Sequence, residues 1–132
     1  MPQANFELGC DRLSQIVDGA IFERLRWSRN EGPMLAKLVA LAQSSLEGRE
    51  EFELADEGST TNVKRFVLKV HHIRTIAITI CLKDGQADVS AAEIDRSQYR
   101  LSKSDSLSAD FAAVDEQWMA RTLNELFNRV QS

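Results

Sequence analysis

Cysteine is scarce in this sequence, with only Cys10 and Cys81 among 132 residues. Two cysteines are too few for a disulfide scaffold, and their separation does not match the paired spacing of a zinc site. Histidine is equally scarce, because His71 and His72 are the only two. Neighbouring side chains point to opposite faces of a strand, so these histidines cannot converge on one metal ion. The sequence therefore predicts no metal site and no cofactor, and the expected compartment is a reducing cytoplasm.

Catalytic glycine motifs and long apolar runs are also missing. The six glycines are scattered, and no phosphate-binding loop, dinucleotide-binding pattern or serine nucleophile elbow occurs. No segment approaches the ~20 apolar residues that a membrane helix requires. The first residues, MPQANFELGCDR, lack the basic start and apolar core of a signal peptide. We therefore expect neither membrane insertion nor secretion by that route.

Positive charge is in deficit, because 16 lysine and arginine residues stand against 20 aspartate and glutamate residues. The net charge of −4 argues against a general nucleic-acid-binding protein, whose affinity depends on neutralising phosphates. One local basic cluster surrounds Trp27, and it consists of Arg24, Arg26 and Arg29. We interpret this cluster as an exposed helix end with Trp27 in the core. An anion-binding patch is the alternative interpretation.

Two amphipathic helices are predicted at the start of the chain. The first, over residues 11–27, begins at Asp11, a reasonable N-cap. The second has Pro33 at its first helical position and Gly48 just past its end. Each carries apolar side chains at helical spacing: Leu13, Ile16, Val17, Ala20 and Leu25 in the first, and Leu35, Leu38, Val39, Ala42 and Leu46 in the second. With a short connection over 28–32, the two helices are expected to form an αα-hairpin.

The apolar period changes from helical to two after residue 50, as expected for strands. In the segments 51–56 and 63–70, apolar residues alternate with charged ones. One antiparallel register matches both kinds of residue, and it predicts the pairs Leu54–Phe66, Phe52–Leu68, Glu51–Lys69 and Asp56–Lys64. The competing interpretation is a helix over 63–71, because apolar residues there also fit one helical face. The β-branched residues favour the strand.

A second hairpin is predicted around Asp84-Gly85, because both central residues of a type I′ turn need positive φ. This turn aligns apolar residues on one face in the pairs Leu82–Ala87, Ile80–Val89 and Ile78–Ala91. Upstream of it, one strand from Phe66 to Leu82 would exceed the ordinary strand length. We therefore expect a bend near His71 to Arg74, with both histidines partly exposed.

The last third of the chain starts with a polar, serine-rich segment, residues 93–110, in which Tyr99 and Leu101 indicate a short fifth strand. No role is assigned to its loop, residues 97–108. A long helix is predicted from Ser108 to Val130, because these apolar residues recur at helical spacing: Phe111, Trp118, Met119, Leu123, Leu126 and Val130. The elements together predict a single α+β domain, 1–132. It has two N-terminal helices, a meander of four antiparallel strands with Tyr99 and Leu101 as a fifth, and a C-terminal helix packed on one sheet face.

Three functions from different classes fit this pattern. The favoured hypothesis is a non-enzymatic protein-interaction module of the adaptor, chaperone or immunity type, which acts as a homodimer and binds a protein partner. The alternative is a small-ligand-binding protein with a pocket between the sheet and the C-terminal helix, lined by Phe111, Trp118 and Tyr99. Arg65 and Arg74 have no partner in the predicted strand register, so they are further candidates for ligand contacts.

The third hypothesis is a small hydrolase-like enzyme that uses His71 or His72 with Cys81 or an acidic residue. A cysteine nucleophile needs a base within hydrogen-bond reach. The alternation places Cys81 on the sheet face opposite Ile80 and Leu82, where no base is predicted. The sequence therefore favours an inert thiol, and no catalytic residue is assigned.

Overall fold

Within residues 2–132, which the computed structural model describes with side chains from residue 5 onward, the chain folds as an α+β protein. The helices are α1 (Pro2–Val17), α2 (Gly19–Ser45) and α3 (Glu116–Asn128). The strands are β1 (Phe52–Asp56), β2 (Val63–Val70), β3 (Ile73–Lys83), β4 (Gln86–Glu93), β5 (Arg100–Leu101), β6 (Leu107–Asp110) and β7 (Val130–Gln131). Five of these strands form one antiparallel sheet. The predicted fold class is confirmed.

The chain divides into two compact units, Met1–Pro33 and Met34–Ser132, and the boundary lies inside α2. The first unit contains α1 and the first part of α2; its described residues, 2–33, are called the N-terminal hairpin below. The second unit contains the rest of α2, all the strands and α3. Among the described residues, every buried apolar side chain except that of Phe22 belongs to the second unit.

The predicted boundaries of the first two helices are wrong. The break falls at Asp18, whose Oδ1 accepts hydrogen bonds from the amides of Ala20 and Ile21 at 3.1 Å each. Asp18 is therefore the N-cap of α2. Residues 28–32, the predicted connection, are helical, and Pro33 lies inside α2. A new helix can start at Asp18 because its side chain binds two amides that have no partner at a helix start. The helix can continue through Pro33 because the proline removes only one hydrogen bond from its interior.

The main sheet has the order β1-β2-β3-β4-β6, and residues 63–70 form a strand and not a helix. The register between β1 and β2 is two residues away from the predicted one, because Leu54 lies opposite Leu68 and Glu53 lies opposite Lys69. The structure thus contradicts all four predicted pairs, Leu54–Phe66, Phe52–Leu68, Glu51–Lys69 and Asp56–Lys64. A shift by two residues keeps each side chain on its face, so alternation alone cannot separate the two registers.

The hairpin of β3 and β4 has the predicted register. The three predicted apolar pairs are all present: Leu82–Ala87, Ile80–Val89 and Ile78–Ala91. Asp84 and Gly85 both have positive φ, at 51° and 77°. These values are those of a type I′ turn, whose twist matches that of the flanking strands.

The predicted bend before β3 is a two-residue turn. His71 and His72 have φ of 52° and 65°, and Val70 pairs with Ile73 across the turn. A turn over two residues would place the apolar residues of β2 and β3 on opposite faces. A β-bulge corrects this, because the register shifts by one residue after Lys69–Arg74, and Leu68 then pairs with Ile76.

The predicted C-terminal helix starts too early. Residues 107–110 form β6, which pairs with β4, and a short 3-10 turn, Phe111–Ala113, follows. The helix begins after Asp115, whose side chain accepts a hydrogen bond from the amide of Trp118 at 2.8 Å. This N-cap fixes the start of α3. The predicted strand around Tyr99 and Leu101 is β5, but it pairs with β7 in a separate small sheet, and the fifth strand of the main sheet is β6.

The two faces of the main sheet differ in character. The even-numbered face carries the large apolar residues of β2 and β3, and Phe52 on this face stacks against Phe127 of α3 with ring centroids 5.8 Å apart. The opposite face holds a small buried cluster of Val67, Ala77 and Ile94. Within the second unit, the helices therefore cover the face with the larger apolar area.

Candidate functional site

The N-terminal hairpin exposes a row of large apolar side chains on each of its helices. On α1, the exposed fractions are 69% for Phe6, 64% for Leu13 and 78% for Val17; on α2, they are 47% for Ile21 and 50% for Leu25. Intervals of seven and four residues keep each row on one side of its helix. The predicted single apolar face over residues 11–27 is therefore wrong, because Ala20 and Leu25 belong to α2 and Ile16, 68% exposed, lies outside the α1 row. Leu13 and Val17 do share one side of α1, but they are exposed.

The side of each helix that faces the other helix is charged. A cleft of about 200 Å³ is lined by the acidic Glu7 and Asp11 of α1, and by Phe22, Arg26 and Arg29 of α2. In one straight helix, Glu7 and Arg29 would lie roughly 33 Å apart at 1.5 Å per residue. The shared cleft therefore shows that α1 and α2 fold back on each other.

Helical geometry places both apolar rows on the same side of the hairpin. At 100° per residue, Phe6, Leu13 and Val17 lie about 120° from the charged side of α1, and Ile21 and Leu25 lie about 90° from the charged side of α2. Because the helices run in opposite directions, these two rotations bring the rows next to each other. We call this continuous surface, Phe6, Leu13, Val17, Ile21 and Leu25, the outer apolar face.

The outer apolar face reverses the usual arrangement of an amphipathic hairpin, in which apolar rows face each other and charged side chains face water. The predicted basic cluster contributes to the charged side, since Arg26 forms an ion pair with Glu23 at 3.3 Å and lines the cleft together with Arg29. Trp27 is half-buried, and its ring lies against Gly32, where a Cβ atom would come within 3.2 Å of it.

His71 and His72 lie at a cleft of about 390 Å³, whose other lining residues are Glu50, Glu51 and Glu53. Both histidines are exposed, and the amide of His71 donates a hydrogen bond to the carbonyl of Glu51 at 2.8 Å. Among the described residues, no group of three or more histidine, cysteine, aspartate or glutamate side chains has the geometry of a metal site. The structure thus brings the histidines close to carboxylates but not into a ligand set.

Cys81 lies on the other sheet face from the apolar core, near a buried carboxylate. Its Sγ is 3.8 Å from Oδ2 of Asp88, and Ser108 donates a hydrogen bond to Oδ1 of Asp88 at 2.7 Å. Burial raises the pKa of the Cys81 thiol, and the negative charge of Asp88 raises it further. A protonated thiol is a poor nucleophile, so this environment does not activate Cys81.

Three aromatic residues were predicted to contact a ligand: Phe111, Trp118 and Tyr99. Of these, Tyr99 lines an apolar groove in the described part of the chain. This groove of about 280 Å³ lies between the sheet and the end of α3, and it is lined by Phe52, Leu68, Val70, Thr75, Tyr99, Phe127 and Val130. Phe111 instead lies under the Lys37 ammonium, 5.2 Å from the ring centroid. Trp118 is half-buried in the first turn of α3.

Arg65 and Arg74 both contact Glu57, which follows β1. Arg65 donates a hydrogen bond to the Glu57 carbonyl at 3.2 Å, and Arg74 forms an ion pair with the Glu57 carboxylate. The two-residue shift in register explains these contacts, since Glu57 now lies beside Arg65. Both arginines therefore hold the end of the β1–β2 hairpin in place.

The exposure of the outer apolar face could not be predicted from the sequence. The apolar spacing of α1 was visible, but amphipathic spacing does not tell whether a partner within the same chain covers the face. Phe6 and Ile21 were missed because the predicted helix started at residue 11 and ran through the true break at Asp18. No helix among residues 2–132 is both long and apolar enough to span a membrane.

Comparisons with protein-family models, with curated proteins and with solved structures each give no match to this chain.

Proposed function

We propose that this chain is a non-enzymatic protein-interaction module that forms a homodimer through the outer apolar face. The observation that carries this proposal is the reversed hairpin, in which charged side chains lie between the helices and five large apolar side chains face outward. Single exposed apolar residues are common on protein surfaces, but a continuous apolar surface is typical of an interaction site.

The size of the outer apolar face supports a second copy as the occupant. Its five side chains expose on the order of 500 Å² of apolar surface. A standard interface buries about 800 Å² per partner, and a homodimer interface is about two-thirds apolar. The apolar area of one face is therefore close to what one protomer contributes to a stable dimer.

The composition of the outer apolar face also supports self-association. The α1 row continues through Cys10, and the α2 row continues through Ser28 and Gly32 at the same helical spacing. None of these positions is charged, so two copies of the face would meet without repulsion between like charges. Small residues at the ends of the rows allow helices to approach closely, and two hairpins would together form a four-helix arrangement.

Sedimentation equilibrium over a range of protein concentrations tests the proposal. We expect a species of twice the 14.8 kDa chain mass at micromolar concentration. Leu13→Glu would place a charge in the middle of the outer apolar face, and it is expected to give a monomer. Gln15→Glu makes a similar change on the opposite side of α1, and this variant is expected to remain dimeric.

Cys10 provides a second readout, because it lies within the α1 row and is exposed in the single chain. Dimerisation would cover its thiol, so alkylation by a maleimide is expected to be slower in the unsubstituted protein than in the Leu13→Glu variant. A monomer mass at every concentration, together with equal alkylation rates, would contradict the proposed dimer.

A small apolar ligand is the second candidate function, because the groove beside Tyr99 is lined almost entirely by apolar side chains. Ligand pockets usually enclose about 300–1,000 Å³, so this groove of about 280 Å³ is slightly smaller than the range. A saturable increase in melting temperature with a small aromatic compound, lost in Phe127→Ala, would favour this candidate. The enzyme hypothesis is not supported by a comparable observation.

A further inference from the structure

A second surface lies in the second unit, along the open edge of the main sheet. β1 is an edge strand, since it pairs with β2 on one side only. Two hydrogen bonds continue the β1–β2 register at its ends: the amide of Glu57 donates to the carbonyl of Arg65, and the amide of His71 donates to the carbonyl of Glu51. Because hydrogen-bonded and non-hydrogen-bonded pairs alternate in an antiparallel ladder, the odd-numbered residues of β1 bond to β2. The amides and carbonyls of Leu54 and Asp56 therefore point away from the sheet.

These outward-pointing groups are available to another strand. Within residues 2–132, no backbone hydrogen bond involves the amide or carbonyl of Leu54 or Asp56 on this side. Asp56 is exposed and Leu54 is half-exposed. Unpaired groups on a sheet edge are the usual template for pairing with an additional strand.

A groove runs beside this edge on the even-numbered face of the sheet. It has a volume of about 510 Å³, and it is lined by Ala40, Ser44, Leu46, Glu47, Phe52 and Leu54, among other residues. A strand added to β1 would direct alternate side chains toward this groove and the others toward the opposite face. The groove therefore provides an apolar binding surface for every second residue of such a strand.

The charge around the edge selects the kind of strand. Residues 47–57, EGREEFELADE, contain six acidic residues and one basic residue. Four of the acidic residues form no ion pair within the described residues: Glu47, Glu50, Glu53 and Asp56. Glu47 lines the groove, Asp56 lies two residues beyond Leu54 on the same side, and Glu53 lies on the other side. A basic strand would thus meet acidic side chains on both of its faces.

We propose that β1 binds an extended, basic segment of a partner protein as an additional strand, with the apolar residues of that segment in the groove. Backbone hydrogen bonds to Leu54 and Asp56 provide the pairing, and Glu47, Glu53 and Asp56 select basic side chains. This surface lies entirely within Met34–Ser132, so the inference does not depend on dimerisation through the N-terminal hairpin.

Fluorescence anisotropy with a labelled eight-residue peptide of alternating lysine and valine tests the inference. We expect saturable binding that weakens as salt increases, because the contributing charges are exposed. Two further peptides separate the contributions: alternating glutamate and valine, and alternating lysine and serine. Neither is expected to bind with comparable affinity, since the first lacks the charge and the second lacks the apolar side chains. Equal binding of all three peptides would overturn the inference.

Asp56→Pro tests the backbone pairing directly. Its outward-pointing amide is lost, while no hydrogen bond to β2 is removed, and proline is tolerated at such an edge position. We expect the lysine–valine peptide to bind at least tenfold more weakly to Asp56→Pro than to Asp56→Asn, which also lacks the charge. Unchanged circular dichroism would show that Asp56→Pro is folded. Equal affinities of the two folded variants would contradict strand addition.

Charge reversal tests the role of the acidic residues. In Glu53→Lys, we expect about a fivefold loss in affinity for the lysine–valine peptide, because Glu53 lies on the side that faces the lysines when the valines enter the groove. Asp110→Lys is the matched control, because it changes the charge on β6, the opposite edge strand. An equal loss in the control would show non-specific attraction only, and would overturn the assignment to β1. Repeating the titration with Leu13→Glu separates the two proposals, because peptide binding is expected to be the same in this variant.

Discussion

At the scale of single residues, the environment of Cys81 determines its chemistry. Its Sγ lies near Asp88, whose other carboxylate oxygen accepts the Ser108 hydroxyl at 2.7 Å. The pKa of the thiol is raised, first by burial and then by the charge of Asp88. The thiolate is therefore disfavoured in the folded protein, and this has a consequence for stability as well as for reactivity.

We predict that Cys81 makes the folding stability dependent on alkaline pH. A raised thiol pKa means that the folded state holds this proton more tightly than the unfolded state. The contribution is fully present below the thiol pKa of the unfolded chain and is lost as the pH rises through that of the folded protein. As the pH rises above about 8.5, the ordinary pKa of a thiol, the unfolding free energy of the unsubstituted protein is therefore expected to fall relative to that of Cys81→Ala.

Urea unfolding of both proteins at several pH values measures this difference, and titration of all other groups cancels in the comparison. Cys10→Ala is the control, because it removes an exposed thiol from the other unit. A free-energy difference between the unsubstituted protein and Cys81→Ala that is constant with pH would contradict the prediction.

The sheet face of Cys81 and its pairing with Asp88 could be predicted from sequence, but the hydrogen bond from Ser108 to Asp88 could not. Alternation along β3 places Cys81 opposite the apolar core, and the Asp84-Gly85 turn fixes its pairing with Asp88. Ser108, however, belongs to β6, a segment whose apolar spacing also extends a helical pattern. The contact of Ser108 with Asp88 forms only if residues 107–110 are a strand, and the apolar spacing of these residues fits a helix as well.

At the scale of elements, the hairpin of β2 and β3 combines an unusual turn with a bulge. Asparagine and glycine are favoured at the two central positions of a type I′ turn, whereas here the positions hold His71 and His72. Left-handed backbone costs an ordinary L-residue roughly 1–2 kcal/mol. The two histidines thus occupy a conformation that their residue type does not favour.

We predict that replacing the turn by His71→Asn with His72→Gly raises the unfolding free energy by about 1 kcal/mol, because glycine adopts positive φ without the steric cost. Equilibrium urea denaturation measures the change. The control is His71→Ala with His72→Ala, which also removes both imidazoles but retains the backbone cost. A loss of stability in the asparagine–glycine variant would show that the imidazole side chains themselves stabilise the turn.

A strand register could be predicted from the sequence only where a short turn fixes the pairing of the two strands. Asp84-Gly85 is such a turn, and the β3–β4 pairs were predicted correctly. β1 and β2 are joined by the longer segment 57–62, which leaves registers two residues apart indistinguishable by alternation. The end of α1 was missed because Asp18 acts as a cap through its side chain, while apolar residues recur at helical spacing on both sides of it.

At the scale of the whole molecule, the two units differ in what stabilises them. The second unit contains the buried apolar side chains of the sheet and the helices that cover it, with Leu38, Ile76, Ile78 and Met119 fully buried. The first unit buries Phe22 among charged side chains and leaves its larger apolar residues exposed. Because burial of apolar area is the main favourable term in folding, the second unit has the larger source of stability.

We predict that residues 33–132 fold without the N-terminal hairpin. Nearly all of the buried apolar residues are retained in this fragment. It also begins at Pro33, and proline is favoured at the first position of a helix because its missing amide has no hydrogen-bond acceptor there. In the complete chain, the same proline leaves the Arg29 carbonyl without its usual partner. The start of the fragment therefore removes an unfavourable feature of α2.

Circular dichroism and urea denaturation are expected to show a cooperative fold for the fragment 33–132, and sedimentation equilibrium is expected to show a monomer at concentrations where the complete chain is dimeric. Folding tests the division of stability between the units, whereas the mass tests the outer apolar face. A folded fragment that still dimerises would place the dimer contact in the second unit, and an unfolded fragment would show that the hairpin contributes to the stability of the core.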